Sequence, residues 1–270
     1  MVLFGVFAYL TLQMVSAALY YFFGLLIASV LGAFSAAAVA NSLCLRIYEH
    51  GTLPDIGLNW SRSSLRNLLL GVAGGGSAAL LVIGAPLAMG WAEWVPAAEG
   101  SAGAGGFVFV TLVLLFGAIG EEMLFRGYGF QVLVPKLGAA ATILPVSVLF
   151  AAAHSGNASV SWLALFNTFS WGVVLCLAVL RAGDLWLPIG MHFGWNWMLP
   201  LFGVNLSGFT MRLTGVTLRW RISDAWSGGE YGPEGGLLCT AVIGLLAVFL
   251  IKAPVQPQSL RLIPRDEETA

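Results

Sequence analysis

Three stretches of this chain place ionisable or hydrogen-bonding side chains where nearly every neighbour is apolar. GAIGEEMLFRGYGF carries Glu121, Glu122 and Arg126, LFAAAHSGN carries His154, and LPIGMHFGWNWM carries His192 and Asn196. A charge at the centre of a hydrophobic span costs about 2.5–3.5 kcal/mol on insertion scales, so an ionisable residue there reads as functional. Glu122 and Arg126 are four apart and share a helix face, where an internal ion pair is the ordinary structural reading. Glu121 points about 100° away and has no cation three or four residues along its own helix. A carboxylate buried without a cation looks for a hydrogen-bond donor, and the histidines of the other segments are the available ones. His192 and Asn196 share a face by the same spacing, as do Phe150 and His154. Taken alone, each histidine reads equally well as a buried group bonded to a nearby hydroxyl or carbonyl. Three segments supplying such groups together point to a polar site between helices.

The chemistry this set supports is hydrolysis. A carboxylate and an imidazole can orient and deprotonate a water. A second imidazole and an amide can donate hydrogen bonds to the oxyanion formed when that water attacks a carbonyl. No Ser or Cys sits in an elbow or triad pattern, so a covalent nucleophile is not indicated. Zinc is the rival, with Glu121, His154 and His192 as ligands. No HExxH occurs, ligands would have to come from three helices, and spacing leaves the choice open. Cys44, Cys176 and Cys239 lie in apolar runs with no CxxC and read as free buried thiols. His50 lies in a polar loop.

The elements that must position these groups are membrane helices. Hydrophobic residues make up 59% of the 270 and charged residues 9%, with a mean hydropathy of +0.88, against roughly 25% charged residues in soluble domains. Such a chain cannot clothe itself in water. The net charge of −1 gives no basic footprint for nucleic acid. We expect an all-α fold, a polytopic membrane helix bundle of about eight transmembrane helices, at about 20 residues per span. It forms one domain over 1–252, with a polar and mobile C-terminal tail over 253–270.

No Asp, Glu, Lys or Arg precedes Arg46, a run too long for one span. It fits two helices turning near Gly24. It has no basic n-region, so it does not read as a cleaved signal peptide. Further spans are predicted over 67–92, 107–134, a stretch ending near His154, 161–180, a stretch from Leu185, and 235–251. In the 67–92 span, Gly74-Gly75-Gly76 lets a neighbouring helix approach closely. TGVTLRWRIS, within a long 205–235 loop, alternates enough to be a short strand or hairpin. Alternating helices put Arg46, Arg62, Arg66, Lys136, Arg181, Lys252, Arg261 and Arg265 on one side, which the positive-inside rule makes cytoplasmic, with both termini. Arg212, Arg219 and Arg221 dissent on the outer side. Straight helices also leave Glu121, His154 and His192 at depths differing by about 10 Å, at 1.5 Å per residue. Tilt, an early start to the fifth helix or a broken helix would reconcile them.

At these residues the chain resembles the CPBP family, the CAAX-processing and bacteriocin-processing intramembrane proteases. The family motif EExxxR is matched by Glu121, Glu122 and Arg126, FxxxH by Phe150 and His154, and HxxxN by His192 and Asn196. The three occur in order on three hydrophobic segments, over a core of about 107–200. DIGLNW, Asp55 to Trp60, is similar more loosely. The resemblance implies an eight-helix endopeptidase with its site enclosed by the bundle. It makes Glu121 the general base, with His154 helping to hold and activate the water. His192 and Asn196 become the oxyanion donors, and Glu122, Arg126 and Phe150 supporting residues. It implies no required cofactor: Asn196 is a poor zinc ligand and a good oxyanion donor, so the glutamate-dependent reading is favoured over a zinc-dependent one. The implied partner is a membrane-associated, leader or CAAX-like peptide or membrane protein. Short loops and a short chain suit a bacterial inner membrane. Two other readings compete: a transporter with an intramembrane Glu/His site, which the lack of two similar halves disfavours, and a non-catalytic membrane protein that binds a toxin peptide as an immunity factor. Substrate, cleaved bond and oligomeric state are not legible.

Overall fold

The computed structural model describes residues 1–97, 101–211 and 213–263. α1 (Val2–Cys44) reverses at Gly24, whose φ of 77° and ψ of −179° leave the helical region. Glycine reaches that left-handed φ without a Cβ penalty. The arms 2–23 and 25–44 lie side by side, with Ser16 Oγ donating to Ala28 O at 3.1 Å. A π-helical turn (Leu45–Glu49) and a 3₁₀ turn (Leu53–Ile56) follow, the latter held by a reciprocal Thr52–Asp55 capping box. α2 (Arg62–Ala88) starts at Ser61, whose hydroxyl accepts from the Ser64 N–H at 3.1 Å. Then come β1 (Ala92–Pro96), α3 (Gly103–Arg126), α4 (Tyr128–Leu137), α5 (Ala139–Ala153), α6 (Trp162–Ala182), α7 (Trp186–Leu201), β2 (Val216–Trp220), the single turn α8 (Asp224–Ser227) and α9 (Leu237–Lys252).

The protein is mostly helical. Among the described residues, four stretches are long and apolar enough to cross a membrane: Val2–Glu49, Arg62–Ala88, Gly103–Leu137 and Trp162–Ala182. Ala139–Ala153 and Leu237–Lys252 are shorter apolar helices. Large apolar side chains such as Tyr21, Phe22, Leu149, Trp162 and Ile251 face outward, a surface that lipid can solvate and water cannot.

Two expectations are corrected, and a third is borne out with an unforeseen partner. The span read as continuous over 107–134 breaks at Gly127 into α3 and α4. Only glycine fits there: a Cβ on Gly127 would lie 2.2 Å from Met123 O and 2.4 Å from Asn41 Oδ1. Asn41 satisfies the groups freed at the break, donating to Met123 O at 3.0 Å and accepting from the Tyr128 N–H at 2.7 Å. Gln131 donates to Arg126 O at 3.0 Å. The strand expected in TGVTLRWRIS forms, but its partner is β1, far off in the chain and antiparallel, with Glu93 opposite Arg219. Glu93 pairs with both Arg219 and Arg221, which is why basic residues tolerate that end; Arg212 lies outside the described residues. Finally, the start of the tail is packed rather than free. Asn67 donates to Asp184 Oδ2 at 2.7 Å and accepts from the Gln256 N–H at 2.9 Å. Gln258 donates to Asp184, Leu260 is buried, and Arg261 pairs with Asp55 at 3.0 Å. Residues 264–270, including Arg265, lie outside the described residues.

α2 and α7 meet backbone to backbone. A Cβ on Gly71 would sit 2.3 Å from Leu187 O, and one on Gly75 1.9 Å from Met191 O. Across the seam, Gly190 faces Leu68 O at 2.3 Å and Gly194 faces Val72 O at 2.5 Å in the same sense. Of the glycine triplet, Gly75 makes this contact, while Gly74 makes room for the Phe249 ring.

Candidate active site

Gly138, at φ 87°, joins α4 to α5 as a hairpin. Glu121 lies seventeen residues before it and His154 sixteen after it, so the two reach the same depth. The early start of α5 thus removes the depth mismatch between Glu121 and His154. α5 ends at His154, which caps it: its Nδ1–H donates to Phe150 O at 2.8 Å, satisfying a carbonyl left open at the helix C-terminus. α7 is seated by Asp184, whose Oδ1 accepts from the Leu187 N–H at 3.1 Å. Burial pushes the Asp184 carboxyl up from its ordinary value, against the hydrogen bonds from Asn67, Leu187 and Gln258.

These elements bring the residues singled out in the sequence together. Glu121 Oε2 lies 3.8 Å from His154 Nε2 and 3.9 Å from His192 Nε2. Glu121 Oε2 is buried and has no hydrogen-bond partner among the described residues. Glu122 pairs with Arg126 at 3.2 Å, both fully buried, as the i, i+4 spacing requires. It does more than the sequence suggests, because the same Oε1 accepts from His192 Nδ1 at 2.8 Å. Arg126 also donates to Gly172 O on α6 at 3.2 Å. Phe150 stands at the centre, its ring 4.4 Å from the Arg126 guanidinium carbon, 4.9 Å from the His154 ring and 6.2 Å from the His192 ring. It keeps water off the ion pair and offers a face to the cation.

Asn196 lines the same cavity of about 470 Å³ as Glu121, His154 and His192. Its amide makes no hydrogen bond to a described residue. The cavity runs from the α1 arms to Trp171 and Trp195 and is walled mainly by apolar side chains. Tetrahedral zinc, with bonds of about 2.0–2.1 Å, holds its donors about 3.3–3.4 Å apart. The Glu121-to-histidine distances exceed that, and among the described residues no group of three or more His, Cys, Asp or Glu side chains is arranged to hold a metal ion.

Residues 103–198 match the family model of type II CAAX prenyl endopeptidase Rce1-like proteins. The match covers 96 of the 270 residues and supports the CPBP resemblance carried by the three motifs. No curated protein and no solved structure gives a match. The matched CPBP segment runs from the start of α3 into α7 and includes all seven residues above. With the apolar helices, it marks the chain as an integral membrane protein.

The structure adds to this cavity an acid that sequence reasoning missed. Glu234 lines the far end of the cavity. Trp195 Nε1 donates to its Oε1 at 3.0 Å, and the Ser207 N–H and Oγ donate to its Oε2 at 2.6 and 2.7 Å. It therefore ties the 205–209 loop to α7 next to Asn196. Burial, then the Glu234 charge, pushes the nearby Tyr231 phenol up to about 12. One of two acids in the glycine-rich GEYGPEGG, it reads as loop surface, and nothing in the sequence brings it inward.

Proposed function

We propose that the protein is an intramembrane endopeptidase that cleaves a membrane-associated, leader or CAAX-like peptide. Glu121 acts as general base and His154 as its water-holding partner. One observation carries this reading: a buried carboxylate oxygen without a partner faces two imidazole Nε2 atoms at 3.8 and 3.9 Å inside a cavity. At more than about 3.5 Å neither contact is a direct hydrogen bond, which leaves the carboxylate oxygen and both Nε2 atoms open to a water between them. Glu121 takes a proton from that water as its oxygen bonds to the peptide carbonyl carbon. The carbonyl electron pair moves onto oxygen, and His192 and Asn196 hold the resulting oxyanion. Collapse of the intermediate expels the amine, which leaves with the proton from Glu121. The wide donor spacing supports chemistry without a resident metal.

The bundle crosses the bilayer eight times in this reading: twice through α1, once through α3 with α4, and once each through α2, α5, α6, α7 and α9. Phe4 packs on Tyr128 and Tyr128 bonds to Glu49, so the N-terminus shares an end with Arg46. Arg261 on Asp55 and Arg181 on Ala253 O bring the tail to that end too. We assign this basic end, with both termini, to the cytoplasmic face, in a bacterial inner membrane.

The test compares membranes holding the wild type with membranes holding Glu121→Gln. Uncut precursor peptides should accumulate only with the variant, and a synthetic peptide copied from one of them should be cut by purified wild type alone. Equal cleavage by both would refute the reading. One tightly held zinc per chain, needed for that cleavage, would overturn the metal-free mechanism.

A further inference from the structure

The two histidines of the site differ in what holds their Nδ1 atoms. His154 Nδ1 faces Phe150 O at 2.8 Å, an uncharged carbonyl that can only accept. His192 Nδ1 faces Glu122 Oε1 at 2.8 Å, a carboxylate oxygen that also accepts from Arg126. Both Nδ1 atoms therefore carry hydrogen. A neutral imidazole with Nδ1–H has a bare lone pair on Nε2. Nε2 is the atom that each ring turns toward Glu121. In neutral form both rings would thus be acceptors there, and neither could donate to an oxyanion.

Charge balance separates them. The charged groups at the centre are Glu121, Glu122 and Arg126 from α3. α5 contributes His154, α7 contributes His192 and neutral Asn196, and α6 contributes the Gly172 carbonyl and the Cys176 thiol to Arg126. Glu234, farther along the cavity, is met by neutral donors. Two carboxylates against one guanidinium leave one negative charge where unpaired charge is costly. One more proton balances the set, and only His192 has a carboxylate on its far side to stabilise it.

Building on the hydrolytic reading above, we infer that Glu122 is a positioning residue that holds His192 as an imidazolium, whose Nε2–H then points at the oxyanion, while carbonyl-bonded His154 stays neutral and accepts. The pairing of Nδ1 thereby divides two similar rings into a donor and an acceptor. His192 keeps both of its protons through the reaction and transfers neither.

The chain has three histidines, so 15N-histidine-labelled protein in nanodiscs gives a countable spectrum, and His50→Gln removes the ring outside the site. At neutral pH His192 should show two protonated ring nitrogens and His154 one protonated and one bare. Glu122→Gln should turn His192 into a neutral ring and lower kcat about 10²–10³-fold, the range for losing one oxyanion donor, with KM little changed. Glu122→Asp, which restores the carboxylate, should recover the imidazolium signature. A bare Nε2 on His192 in the wild type overturns the inference, and this readout needs no variant to fold. So does a Glu122→Gln enzyme with wild-type kcat. Loss of the hydrolytic reading looks different: Glu121→Gln would still cleave while His192 in the wild type showed the imidazolium spectrum.

Discussion

α7 turns two unlike faces to its neighbours. Gly190 and Gly194 face α2, and their counterparts Gly71 and Gly75 bring the two backbones into contact. His192 and Asn196, each two residues further on, project about 200° away toward the cavity. One face works by having no side chains and the other entirely by side-chain chemistry. The difference shows how a bilayer protein builds a precise site. Without water, apolar surface drives little helix association, so close packing of small residues must fix the helix. A site on so tightly seated an element holds its groups to within the fraction of an ångström that catalysis needs. The two faces should fail differently when altered: the polar face should lose activity at constant stability, and the glycine face should lose stability first.

The sharpest test of the polar side is Glu121→Gln. Its oxygen already lacks a partner, so the fold should melt as the wild type does, while kcat falls about 10²–10⁴-fold, the range for removing a general base. Asn196→Ala comes next. With no hydrogen bond to a described residue to break, it should leave the melting temperature unchanged and lower kcat about 10²–10³-fold. A lower melting temperature with unchanged kcat would make Asn196 a structural residue and blur the contrast between the faces.

Gly75→Ala tests the other face. Its new methyl would start 1.9 Å from Met191 O, so α2 and α7 must separate. Overpacking of this kind costs about 1–3 kcal/mol. Thermal melts in detergent should show that loss, and cleavage should decline because His192 moves with its helix. A variant as stable and as active as the wild type would show that the seam is not what seats α7. Gly76, which has nothing closer than 3.4 Å, serves as control: Gly76→Ala should change little.

Much of this site was legible because helical spacing survives folding. The pairs Glu122–Arg126, Phe150–His154 and His192–Asn196 each needed only one helix to be right. The turn at Gly24 followed from the length of an uncharged run. What stayed hidden depends on contacts between distant segments. The break at Gly127 is dictated by Asn41 on α1, and no periodicity in a run that is apolar on both sides reveals it. β1 is too short and too far from β2 to announce a pairing. Glu122 looked fully committed to Arg126, since sequence spacing cannot show that an imidazole on α7 shares the same oxygen. Glu234 looked like loop surface until the chain around Ser207 folded over it.

The packed tail gives the smallest expected effect and asks whether the glycine seam is sufficient by itself. Gln258 reaches Asp184, the residue that receives the first turn of α7, and its own N–H donates to Ala182 O at 2.6 Å. Gln258→Ala removes the Asp184 bond, with the long contacts to Ser64 and Ser61 at 3.4 and 3.5 Å, and leaves the backbone one. Asp184 keeps Asn67 and the Leu187 N–H as donors, so no charge is left bare. The loss should be about 1 kcal/mol, the net worth of one hydrogen bond, read as a small drop in melting temperature with kcat intact. If kcat instead falls as far as it does in Gly75→Ala, then α7 is set from its end as much as from its side, and the tail belongs to the machinery that positions His192.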